Sequence, residues 1–61
     1  MNKVYISRNA SEMMTGLNQL NEYLDSTVYG KNRFNADQVL SFLDAIEENL
    51  WNIKKEIKGT R

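Results

Sequence analysis

Side chains able to do chemistry are few in this chain, and their types narrow its possibilities quickly. There is no Cys and no His among the 61 residues. Thiolate nucleophiles, disulfides and thiolate metal ligands are excluded together. So is the side chain that titrates near neutral pH and most often holds a metal. Ser and Thr hydroxyls are present, but a hydroxyl nucleophile needs a base beside it, and no His supplies one. Asp37, Ser41, Asp44 and Glu48 recur at spacings of four, three and four, which places them on one helical stripe. Paired carboxylates bind metal in a helical bundle when they project into its core. This stripe lies opposite the apolar residues of the same segment, as a solvated face does. Asp25 and Gly30 stand where a calcium loop opens, but the twelfth place holds Ala36 where a bidentate Glu is required. The expectation is a protein that is not an enzyme, with no catalytic residue, metal ligand or cofactor.

What remains is the chemistry of recognition. Trp51 lies among Asp44, Glu47, Glu48, Lys55 and Lys58, away from the apolar seam. An exposed Trp is a frequent interface anchor, and Lys55, one helical turn on, can stack on its ring. The competing expectation is that Val4, Tyr5 or Ile6 folds over the indole. Tyr29, Lys31, Arg33 and Phe34 form a second cluster, basic and aromatic. It suits phosphate or an acidic protein surface, or else a solvated turn anchored by one aromatic. The partner-binding candidates are therefore Tyr29, Lys31, Arg33, Trp51 and Lys55.

Two amphipathic helices position these groups. Ala36, Val39, Leu43, Ile46, Leu50, Ile53 and Ile57 are spaced 3-4-3-4-3-4, and Ala10, Met13, Leu17, Leu20 and Leu24 begin a matching run with Thr27 next. Asn35 is the expected cap of the second helix, with Gln38 in the capping-box place and Phe34 set to pack on Val39 as a hydrophobic staple. That helix should run from Ala36 to Lys58, about 34 Å at 1.5 Å per residue, and stop at Gly59. Asp37, Asp44, Glu47 and Glu48 near its start and Lys54, Lys55, Lys58 and Arg61 near its end suit the helix dipole. Asn9, followed three residues later by Glu12, is the expected cap of the first helix. Gly16 costs that helix about 1 kcal/mol relative to Ala unless the two helices approach closely there. Lys3 to Ser7 alternates polar and apolar residues, as a short strand or extended arm does. The single domain 1–61 thus divides into an arm 1–8, a helix 9–26, a connection 27–34 and a helix 35–58.

A chain this short buries only about 60% of its unfolded surface and needs a disulfide, a metal or an oligomeric partner. The first two are excluded, and the 41% hydrophobic content can support the third. Leu40 and Phe42 flank the second seam and make its apolar face wider than one neighbouring helix covers. The expected fold is all-α: a two-helix antiparallel hairpin with an extended N-terminal arm, dimerising into a four-helix bundle. The expected interface residues are Leu17, Leu20, Leu24, Leu40, Phe42, Leu43, Ile46, Leu50 and Ile53. No apolar run reaches the length of a membrane span, and no signal-peptide pattern opens the chain, so a cytoplasmic protein is expected. Frequent Asn and absent Pro point to a small protein of bacterial or phage origin. Its expected role is that of an adaptor, regulator or inhibitor acting on a macromolecular partner, most simply another protein.

The order of elements, an alternating segment, a helix, a Gly-containing turn and a second helix, also resembles the ribbon-helix-helix repressors. That resemblance implies two arms paired across a dimer in the DNA major groove. Lys3, Tyr5 and Ser7 would face the bases, while Val4 and Ile6 face the core. The balanced charge, eight basic against eight acidic residues, and the long second helix fit the first reading better than this one.

Overall fold

The computed structural model describes residues 1–59, and these form two α-helices, α1 (Lys3–Val28) and α2 (Ala36–Lys58), packed side by side as a hairpin. Arg61, counted above with the basic end of α2, lies outside the described residues. The molecule is a slab of 48 × 17 × 10 Å.

Helix α2 matches its expected bounds. The Asn35 side chain accepts hydrogen bonds from the backbone N–H groups of Asp37 and Gln38, which satisfies two of the donors a helix start leaves unpaired. Gly59 closes the other end, its N–H donating to the Lys55 carbonyl. Phe34, the expected staple on Val39, stays mostly exposed.

Helix α1 corrects the expectation at its start. Lys3 to Ser7 is helix, neither strand nor extended arm. Asn2 is the cap: its Oδ1 accepts from the Tyr5 N–H at 3.0 Å, and its own N–H donates to Glu56 across the hairpin. Asn9, the expected cap, lies well inside the helix. The physical reason is that Ile6 extends the helical repeat of Asn9, Met13 and Gly16 by another turn, so the chain gains packing by staying helical. The segment on which the ribbon-helix-helix resemblance places its strand, Lys3 to Ser7, is therefore helical.

The connection runs from Tyr29 to Asn35, two residues shorter at its start than expected, and Tyr23 organises it. The Tyr23 hydroxyl donates to the Arg33 carbonyl and accepts from the Asn35 N–H, both at 3.0 Å. Asn32 donates to the Ser26 hydroxyl. Gly30 is required by space: a Cβ there would lie 2.7 Å from the Ser26 carbonyl oxygen, closer than packed atoms tolerate.

Two rows on each helix face the other helix. On α1 they are Ile6, Met13, Leu20 and Thr27, with Asn9, Gly16 and Tyr23. On α2 they are Val39, Ile46 and Ile53, with Phe42, Asn49 and Glu56. All of these are at least half-buried. Tyr23 and Phe42 pack with ring centroids 6.0 Å apart. Gly16 lets the helices approach, since a Cβ there would meet Ile46 Cγ1 at 3.1 Å. Among the described residues Leu20 is the one hydrophobic side chain that is buried, at 9% exposure. A core this thin is the central physical fact of the fold.

Candidate interaction surfaces

The contacts across the seam fix the register. Asn49 donates to Asn9 at 3.0 Å, and Gly16 lies against Ile46. Stepping by heptads from these points, Ala10 is roughly level with Leu50, Leu17 with Leu43, Leu24 with Ala36 and Lys3 with Ile57. These residues follow the Asn9 and Phe42 rows by one position. In a right-handed helix one step turns the side chain about 100°. Because the helices are antiparallel, that turn brings both sets to the same side of the slab. The result is an apolar flank of four rungs. Leu17, Leu43, Leu50 and Ile57 keep 36–49% of their surface exposed, and Met14 and Leu40, more exposed still, border it.

The opposite flank is polar. Asn9 is buried to 4% exposure and fully engaged. Its Nδ2 donates to the Tyr5 carbonyl at 2.9 Å, and its Oδ1 accepts from Asn49 and Asn52 of α2. Asn49 also donates to the Glu12 carboxylate at 2.8 Å. A buried amide needs such partners, because an unpaired one costs about 1–3 kcal/mol. Nearby, an open depression of about 430 Å³ lies among Asn2, Tyr5, Trp51, Asn52, Lys55 and Glu56. A second, of about 570 Å³, continues around Trp51 to Lys54 and Lys58.

Trp51 stands where the two depressions meet. It is 59% exposed, and the Lys55 ammonium lies 4.8 Å from its ring centroid. Tyr5 borders the same depression without covering the indole. Tyr29, Lys31 and Arg33 lie exposed in the connection at the opposite end of the hairpin. The structure therefore unites Trp51 with Lys55 and separates both from the other three candidates.

The expected oligomer residues divide into two groups. Leu20, Phe42, Ile46 and Ile53 belong to the interior of the hairpin, because the seam of α2 is turned toward Phe42 and Asn49. Leu17, Leu24, Leu40, Leu43 and Leu50 lie on or beside the apolar flank. Sequence reasoning missed Asn49, Asn52 and Tyr23, and gave Asn9 the role of a helix cap in place of a seam amide. The signal available for Asn9 and Tyr23 was the 3-4 spacing of Ile6, Asn9, Met13, Gly16, Leu20, Tyr23 and Thr27, and for Asn49 that of Val39, Phe42, Ile46, Asn49, Ile53 and Glu56, which polarity conceals.

Among the described residues no group of three or more His, Cys, Asp or Glu side chains could hold a metal ion, and no helix is long and apolar enough to cross a membrane. No family model, curated protein or solved structure matches the chain.

Proposed function

We propose that this chain is a small non-catalytic interaction protein, an adaptor, regulator or inhibitor, that works as a homodimer and engages a macromolecular partner. The observation that carries the reading is the thin core. Among the described residues Leu20 is the one buried hydrophobic side chain, while Leu17, Leu43, Leu50 and Ile57 stay exposed along one flank, and small domains without disulfide or metal commonly gain their missing stability from association. Trp51 and Lys55 supply the partner contact, since they form the exposed aromatic and cationic pair beside an open depression.

Two measurements test this. Sedimentation equilibrium at micromolar concentration should give at least twice the monomer mass; a cooperatively folded monomer refutes the homodimer. Trp51→Ala should leave the melting temperature nearly unchanged, because the ring is mostly exposed already. Affinity for a partner identified by affinity capture from the native host should fall by about 2 kcal/mol or more, the scale of an interface hot spot. Unchanged affinity would move the contact away from this end of the hairpin.

A further inference from the structure

We propose that the apolar flank is the homodimer interface, and that it seats α1 of one copy on α2 of the other about a two-fold axis parallel to the helices. The inference rests on the homodimer reading above and adds the face and the pairing. The four rungs run about 32 Å from Lys3 to Leu24 at 1.5 Å per residue on a slab 17 Å wide, a planar face of roughly 500 Å² that approaches the accessible surface of about 800 Å² each partner contributes to a standard stable interface. That size favours a second copy as the occupant of the whole flank.

The pairing follows from side-chain size and charge. With the axis along the helices each residue keeps its height, so Ala10 stands over the partner copy's Leu50 position and Leu24 over its Ala36 position. Each small residue thus meets a large one, and Leu17 meets Leu43 between them. Facing layers that alternate in this way interdigitate without voids. Lys3 reaches Ile57 at the end of the slab, where its stem can cover apolar surface while the ammonium stays in water. The other face-to-face arrangement, α2 on α2, would bring Glu47 against its own copy near the axis. Like charges juxtaposed in an interface oppose association. In the proposed pairing the row holding Leu40, Glu47 and Lys54 meets Ser7, Met14, Asn21 and Val28, none of them charged.

Disulfide trapping tests the pairing cleanly, because the chain has no Cys of its own. Leu17→Cys and Leu43→Cys chains are mixed, refolded together and oxidised, and Ala10→Cys with Leu50→Cys forms a second pair in which one change is small. Sulfurs can join only where Cβ atoms approach within about 4.5 Å. Each mixture should give a linked heterodimer that neither variant forms alone. Linkage of Leu43→Cys to Leu50→Cys instead would establish α2 on α2 and overturn the pairing. A dimer by sedimentation with no linkage in either mixture would overturn the face while leaving the homodimer reading intact. A folded monomer would overturn both and assign the flank to a different protein.

Discussion

The two flanks of the hairpin share the same helices and the same heights, yet they differ in every physical respect. One carries Ala10, Leu17, Leu43 and Leu50, all exposed, with the half-buried Leu24 beside them. The other carries Glu12, Gln19, Gln38 and Asn52, of which Glu12 and Asn52 are tied to the interior through Asn49 and Asn9. Non-directional burial suits the first flank and directional hydrogen bonding the second. In the proposed dimer the apolar flank supplies association energy but accepts many alignments, because aliphatic contacts discriminate poorly. The Asn9 cluster supplies little net energy but accepts one alignment, because its donors and acceptors must meet. A small two-helix protein needs both, and here they are placed on opposite sides of one seam.

The largest expected effect comes from placing a charge on each flank in turn. Leu43→Asp puts an unpaired carboxylate into the proposed dimer interface, at a cost of several kcal/mol. With so little core inside one hairpin, loss of the dimer should also lose most of the helical circular dichroism signal at 37 °C. Ala45→Asp, on the exposed polar flank of the same helix, should change stability by no more than about 0.5 kcal/mol. Equal tolerance of the two substitutions would abolish the distinction between the flanks.

Much of this arrangement was legible in the sequence, and the illegible part has a definite cause. Each helix has three adjacent rows: one apolar and facing the other helix, one apolar and facing outward, and one of mixed character that completes the seam. A reading guided by hydrophobicity joins the two apolar rows and takes Ala36, Val39, Leu43, Ile46, Leu50, Ile53 and Ile57 as one seam. The structure separates them, with Val39, Ile46 and Ile53 inside and Leu43, Leu50 and Ile57 on the flank. The true second row, Asn9, Gly16 and Tyr23 on α1, holds an amide, a glycine and a phenol that no hydrophobic pattern selects. The start of α1 was misjudged for the same reason. Period-two alternation over Lys3 to Ser7 concealed a period-seven repeat through Ile6. Helix α2 was placed correctly because Asn35 and Gly59 are local signals that need no tertiary context.

A middle-sized effect is expected at Asn9. Asn9→Ala leaves the Asn52 amide without its acceptor and Asn49 with Glu12 alone, and chemical denaturation should show a loss of about 1–3 kcal/mol. Asn9→Leu should act differently. Polar residues at single seam positions of coiled coils specify register at a cost in stability, so the leucine variant should melt higher than wild type. It should also lose uniqueness, giving a mixture of association states in sedimentation velocity. A leucine variant that remained one species, with the same cysteine pairs linking, would show that the aliphatic contacts fix the alignment unaided.

The smallest effect separates close approach from helix propensity at Gly16. Replacing Gly by Ala inside a helix gains about 1 kcal/mol of intrinsic propensity. Here the new methyl would meet Ile46 Cγ1 at 3.1 Å, and that atom belongs to a β-branched side chain with little freedom at χ1. The two terms oppose each other, so Gly16→Ala should shift stability by less than the propensity gain, in either direction. Ile46→Ala removes the obstructing atom. In that background Gly16→Ala should recover the full gain of about 1 kcal/mol, giving a coupling energy of at least about 0.5 kcal/mol between the two positions. Additive effects of the two substitutions would mean that the helices do not meet closely at Gly16, and the register of the seam, and with it the alignment of the flank rungs, would have to shift.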